Sequence, residues 1–192
     1  MAISFSDVLA KQSELSYVAP QNFYLHIDRL PDVVFLVQQV QLPSLSAGEA
    51  ELSNRQNSGR VFIPGDTLDY GTLDVTFLLD KHLKSYRSIL DWMKGFTAPE
   101  TGDQFSQFER NFTINQDPFA DTMSDMTLFA SDASNSPLSH WSFKNAFPIS
   151  LDGFSFDATM ADVEYLAATA SFRFTYFEHQ TYNNGSLNDD LI

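Results

Sequence analysis

Three observations predict a mainly β protein with one flanking α-helix. Eighteen of the 192 residues are Phe, a side chain that suits half-buried pleated surfaces. Several segments alternate apolar and polar residues with a period of two, the spacing of a strand with one buried face. Only residues 81–95 carry a convincing helical period. The length suits a single domain, 1–192, with enough chain to bury a core, and a hydrophobic content of 43% argues against global disorder.

In chain order, residues 1–20 read as an N-terminal arm in which Ser6 caps a short helical turn bearing Val8 and Leu9, ended by Pro20. Phe23, Leu25 and Ile27 then alternate with Tyr24, His26 and Asp28, a half-buried strand. Residues 33–42 form a second strand, apolar on both faces at first and alternating later as Gln39, Val40, Gln41 and Leu42, with Pro43 as its stop. Residues 44–70 are a polar connection that fits an extended hairpin, with residues 49–53 and 60–63 as its arms. Pro64-Gly65-Asp66 reads as the next turn.

Residues 72–80 give the clearest strand, with Leu73, Val75, Phe77 and Leu79 on one side and Thr72, Asp74, Thr76, Leu78 and Asp80 on the other. In the helix at 81–95, Leu83, Tyr86, Ile89, Leu90 and Met93 form the predicted core stripe, opposite Lys84, Arg87, Ser88, Asp91 and Lys94. Asp80 and Lys94 match the helix dipole, and Gly95 is the expected C-cap. Residues 97–139 form an acidic insertion with seven carboxylates against Arg110, and a short strand is expected at 126–130. Residues 140–147 read as a strand stopped by Pro148. Asp152-Gly153 signals a hairpin turn within 150–157. The last strand places Ala168, Ala170, Phe172, Phe174 and Tyr176 against Thr169, Ser171, Arg173 and Thr175, and residues 179–192 form a loose polar tail.

Charge and motif content narrow the function. A formal charge of −14 argues against a protein that grips nucleic acid by broad electrostatic attraction. The absence of Cys excludes disulfides, thiolate metal sites and a Cys nucleophile. The N-terminus lacks a basic n-region, and no apolar run approaches the ~20 residues of a membrane helix, so a soluble, non-secreted protein without membrane contact is expected. His26, His82, His140 and His179 form no metal-binding spacing, and GxSxG, GxGxxG and phosphate-binding loops are absent. Asp117, Asp121 and Asp125 share a helical spacing but match no calcium loop, so a solvated acidic loop is the simpler reading. Phe105, Phe108, Phe112 and Phe119 fit either a sugar-stacking face or satellite core, and Trp92 and Trp141 fit core or rim positions. No catalytic, metal or cofactor site is predicted. A monomeric β-sandwich carbohydrate-binding module and an acid-catalytic glycosidase stand as rival readings.

Four stretches, spanning about residues 20–180, resemble the tail tube proteins of contractile-tailed bacteriophages, relatives of the tube-forming hemolysin-coregulated protein of type VI secretion. They are Asn22-Phe-Tyr-Leu-His-Ile-Asp28; Leu42-Pro43 followed by a polar loop ending Gly59-Arg60-Val-Phe-Ile-Pro-Gly-Asp66; Leu73-Asp-Val-Thr-Phe-Leu-Leu-Asp80 running into the helix with Ile89-Leu-Asp-Trp92; and Ala146-Phe-Pro-Ile149 with the closing strand to Glu178.

The resemblance implies a β-sandwich or barrel-like fold whose inner strands form one continuous barrel in a hexameric ring. Rings stack into a tube that conducts DNA without specific binding, inside a virion tail assembled in the host cytoplasm. Sheath and baseplate proteins are the implied partners, and a tube-initiating baseplate subunit of the same fold is the nearest rival. On that reading Asp74, Thr76, Thr169, Ser171, Arg173 and Thr175 are candidate lumen-facing residues, with exposure on a monomer as the plain alternative. Ser53, Arg55, Arg60 and Asp66 are candidate contacts between subunits or rings. An acidic channel wall would repel DNA and prevent sticking, although the same charge also serves solubility before assembly.

Overall fold

The alternation in residues 73–78 is realised as strand β5, in which every second residue is buried. In the computed structural model the described residues are 21–31, 36–53, 60–97, 99, 122–131, 137–156, 165–183 and 186–187. Among these the elements are β1 (Phe23–Ile27), β2 (Leu36–Gln41), β3 (Leu45–Ser53), β4 (Arg60–Tyr70), β5 (Leu73–Leu78), α1 (Lys84–Thr97), β6 (Ser124–Ser131), β7 (Pro137–Leu151), β8 (Ala167–Arg173), β9 (Tyr176–Asn183) and β10 (Ser186–Leu187). The protein is therefore mainly β with one described helix. The expected N-terminal arm, Val33–Phe35, and most of the acidic stretch lie outside the described residues.

An eight-stranded sheet runs in the order β1-β6-β7-β8-β5-β2, with β9 pairing β7 and β10 pairing β9. The hairpin β3–β4 is a separate two-stranded sheet. The chain divides into two units. The larger contains Leu25–Thr127 and Ser142–Glu178, and the smaller contains Met1–Tyr24, Leu128–Trp141 and His179–Ile192.

In the larger unit, Leu73, Val75, Phe77, Ala168, Ala170, Phe172 and Phe143 are all buried, together with Ile89 and Trp92 of α1. Small Ala168 and Ala170 stand beside Phe77 and Val75 in the β5–β8 register, so large and small side chains alternate across neighbouring strands. Trp92 lies 6.3 Å from Phe172 between ring centroids, and its indole N–H donates to the Thr122 carbonyl at 2.9 Å. A partner of that kind allows a buried Trp to keep its polar atom satisfied.

The buried helical residues are Ser85, Ile89, Trp92 and Gly95. This face is rotated from the predicted stripe: Tyr86, Leu90 and Met93 are only half-buried. Small Ser85 and Gly95 allow close approach near each end, and the large Trp92 fills the space between. Gly95 accordingly sits inside the helix, which continues to Thr97 rather than ending there. Asp80 secures the start. Its carboxylate accepts the N–H groups of His82 and Ser85, both at 3.3 Å, and its carbonyl accepts the Leu83 N–H at 2.9 Å. Leu83 holds a left-handed φ of 53°, an unfavourable conformation for a branched side chain that this turn maintains. Asp80→Ala is expected to cost about 1 kcal/mol of stability, the usual cost of losing such a cap, measurable by urea unfolding.

Several turn signals were absorbed into strands. Pro64-Gly65-Asp66, expected as a turn, lies within β4 as an irregularity: Ala47 pairs with Leu68 and Glu49 with Pro64, so Gly48 alone opposes Gly65, Asp66 and Thr67. Pro148 lies within β7, beside another register shift between Pro148 and Ser150. Proline fits at such places because the ladder is already interrupted there. Asp152-Gly153 does not turn a hairpin among the described residues; β7 ends at Leu151 and residues 152–156 are irregular. The long closing strand breaks at Phe174 and Thr175 into β8 and β9. Phe174 remains buried while Tyr176, expected on the same face, is exposed. The tail expected to be loose carries β9 to Asn183 and then β10. Within the expected acidic insertion, β6 is longer than predicted and buries Met126, Leu128 and Ala130, which makes it a core strand.

Candidate functional site

The register of β5 with β8 brings two separately predicted polar faces together. Asp74 pairs with Ser171 and Thr76 with Thr169, and the two Thr hydroxyls are 3.0 Å apart. On the other side of β5, β2 adds Gln41 beside Asp74 and Gln39 beside Thr76. On the far side of β8, Ser150 of β7 pairs with Ser171, and the Asp152 N–H donates to the Thr169 carbonyl. One row therefore reads Gln41, Asp74, Ser171, Ser150, and the next reads Gln39, Thr76, Thr169. Directly paired antiparallel residues share a face, so four strands present one surface of hydroxyl and amide groups. The opposite face of β5 and β8 is buried core.

Arg173 continues this face at the exposed end of β8. Thr175 does not lie in β8; it sits in the break before β9, where its N–H donates to the Lys144 carbonyl. Gln39, Gln41 and Ser150 complete the surface although none was a predicted site residue. The alternation of Gln39 and Gln41 around Val40 was the available signal. Within the face, Asp74 Oδ1 is shielded from solvent and has no hydrogen-bond partner.

The hairpin holds the predicted contact residues differently. Ser53 and Arg60 are a register pair next to residues 54–59, and Arg55 lies outside the described residues. Arg60 Nε is 3.3 Å from Glu51 Oε1 across the hairpin, with both side chains largely exposed. Asp66 is exposed in the irregularity opposite Gly48. Leu45, Phe62, Ile63 and Leu68 are also exposed, an apolar content that a solvated hairpin does not require.

A second polar arrangement was missed because its members lie in weakly patterned sequence. Asp125 Oδ2 accepts the Lys144 ammonium at 2.7 Å, and Oδ1 accepts the Asn145 N–H at 3.1 Å. Asn145 has φ 55°, a left-handed conformation that Asn tolerates. The hydrogen bond to Asp125 holds the Lys144 ammonium above the usual lysine range, opposed by partial burial and aided by the charges of Asp125, Glu178 and Tyr176.

The smaller unit carries a row of rings. Tyr24 lies 6.4 Å from Phe129, Phe129 5.7 Å from His140, and His140 5.4 Å from Tyr182, while Trp141 stacks on His179 at 4.7 Å. His140 Nδ1 is shielded without a hydrogen-bond partner. Burial first, and the His179 charge second, push its pKa below the ordinary histidine value of 6.5. A depressed histidine leaves the unfolded chain binding more protons in this range, so stability falls as pH drops from about 6.5 through the folded value. His140→Phe retains a ring and is expected to flatten that part of the stability–pH curve below about pH 6.5. Parallel thermal melts of the two proteins would check it, and an unchanged slope would assign the acid sensitivity to other groups.

Among the described residues, no cluster of His, Asp and Glu is arranged to hold a metal ion, and no helix is long and apolar enough to cross a membrane. No match to the chain is found among curated proteins. Solved structures do match. A chain of an extracellular contractile injection system, the PVC sheath–tube complex in its extended state, aligns with TM-score 0.57 and 16% identity, covering 94% of this chain and 100% of that one. The tube-terminating cap of the anti-feeding prophage gives TM-score 0.56 and 15% identity over 88% and 93% of the two chains. A chain of the anti-feeding prophage baseplate gives TM-score 0.52 and 11% identity over 86% and 96%. These likenesses establish a shared tube-type fold. The profile of the phage tail tube protein family matches residues 3–181, so the chain belongs to that family of structural tube proteins.

Proposed function

We propose that this protein is the repeating subunit of a contractile tail tube, in which six copies close a ring and rings stack around a channel for DNA ejection. The observation that carries the reading is the four-strand polar face of β2, β5, β8 and the end of β7. A tube subunit needs one sheet surface buried against its own core and the other wettable along a channel, and this sheet has that division. Head-to-tail contacts that close by rotation produce such rings. The tail sheath and baseplate are the expected partners, and the virion tail, assembled in the host cytoplasm, is the expected location.

A tube-capping or tube-initiating subunit is the second reading, supported by the likeness to a tube-terminating cap and a baseplate chain. Negative-stain electron microscopy across a concentration series separates the two. Long hollow tubes support the repeating subunit and single rings support the initiator. Monomers that persist after addition of an assembled baseplate would overturn both.

The hairpin is the proposed contact between rings, with Ser53, Arg55, Arg60 and Asp66 near the junction. Arg60→Glu removes an exposed pair with Glu51 and places two acids together. Exposed pairs contribute about 0–1 kcal/mol, so the melting temperature is expected to change little while tubes become shorter and fewer. Parallel losses in melting temperature and tube yield would instead assign Arg60 a role in folding alone.

A further inference from the structure

Among the described residues, the surface proposed to line the channel carries little of the acid excess of this chain. Across the described part of that face, the ionisable side chains are Asp74 and Asp152 against Arg173, one net negative charge in a chain whose formal charge is −14. The uncharged part of the face is Gln39, Gln41, Thr76, Ser150, Thr169 and Ser171, brought into adjacent rows by the strand registers, with the apolar Leu36, Leu78 and Ala167 in the row beyond Thr76. The hairpin differs. Among its described residues it exposes Glu49, Glu51, Asp66 and Asp69 against Arg60 alone.

From this segregation we infer that the channel wall does not select cargo by charge. The inference rests on the proposed channel function of this face. An acidic wall would exclude polyanions at low salt and hold polycations; a hydroxyl and amide wall does neither. It stays wetted through neutral donors and acceptors, so polymers of either sign experience nearly the same surface, and passage is set by the width of the channel. In place of the DNA-repelling acidic wall expected from net charge, the described face gives a nearly neutral one, and the described hairpin carries more of the acids.

The chain contains no Cys, so a single introduced thiol reports its local potential without background. Thr169→Cys in the centre of the face and Gln39→Cys on exposed β2 provide two independent positions. Ser46→Cys, paired with Asp69 on the hairpin, is the reference. Each variant is treated with anionic and cationic methanethiosulfonates of similar size, and the rates are normalised to a free thiol. Measurements at 0.15 M salt, where the Debye length of about 8 Å keeps the reading local, are repeated at 1 M, where it is about 3 Å.

On the dispersed chain, the two rates at positions 169 and 39 are expected to agree within about threefold and to change little between 0.15 M and 1 M salt, whereas position 46 favours the cation at 0.15 M. In assembled tubes the same ratio should persist at 169, while a bulky polymer-linked maleimide fails to reach it. Anionic reaction about tenfold slower than cationic at both face positions, and relieved by salt, would overturn the neutral wall. If the polymer reagent is still excluded, the channel reading stands. Polymer labelling in tubes as fast as on dispersed chains would overturn the channel reading, while the dispersed-chain ratios still decide the charge of the face.

Discussion

Phe172→Ala is expected to destabilise the protein by about 3–5 kcal/mol, the range for deleting a fully buried aromatic side chain. Phe172 is 1% exposed, pairs with Leu73 on one side and Pro148 on the other, and meets the indole of Trp92. Truncation therefore removes a side chain that joins three strands to the helix; the strands cannot move into the space without breaking their ladders, nor Trp92 without straining its hydrogen bond to the Thr122 carbonyl. Small domains have total stabilities of about 5–15 kcal/mol, so one substitution removes a large fraction. A melting-temperature decrease of about 6–20 °C is expected, with assembly lost as a consequence. Phe156→Ala is the control: at 79% exposure it should change stability by less than about 0.5 kcal/mol. Urea unfolding measures both. A Phe172→Ala loss below about 1 kcal/mol would mean that β8 is not packed as described.

Much of this core was legible because strand burial has a period of two. Leu73, Val75 and Phe77, and likewise Ala168, Ala170, Phe172 and Phe174, were read onto single faces and are buried together. The polar residues between them were legible as faces, but not as neighbours. Thr76 and Thr169 meet across 93 residues of sequence, and only strand pairing brings them together. Asp125 and Lys144 were missed for the same reason: their hydrogen bond depends on two strands whose sequence patterns are weak.

The misreadings share a physical origin. Proline and glycine mark interruptions in a hydrogen-bond ladder, but an interruption is not always a turn. At Pro64-Gly65 and Pro148 the ladder shifts register and continues. Similarly, the apolar stripe on α1 located the helix but not its deepest face, because close approach at Ser85 and Gly95 outweighed the hydrophobicity of Tyr86, Leu90 and Met93.

Gly65→Val is expected to abolish tube formation while leaving the folded body nearly intact. A Cβ at position 65 would lie 2.8 Å from both the carbonyl carbon and oxygen of Gly48, closer than real Cβ contacts allow. Both atoms are backbone, so no rotamer change relieves the clash, and the two hairpin strands must separate or shift. A shift by one residue would exchange the two faces of the affected arm, moving Phe62 and Ile63 relative to Glu49 and Glu51. Among the residues of 45–69 whose burial is described, none is in the buried core. The melting temperature of the dispersed chain should therefore fall by no more than about 2 °C. If the hairpin makes the contact between rings, the exposed Leu45, Phe62, Ile63 and Leu68 can no longer meet the next ring in a single geometry. Electron microscopy should then show rings or monomers in place of tubes. Normal tubes from Gly65→Val would remove the hairpin from the proposed stacking contact, and a collapse in melting temperature would show that it is required for the fold of the body.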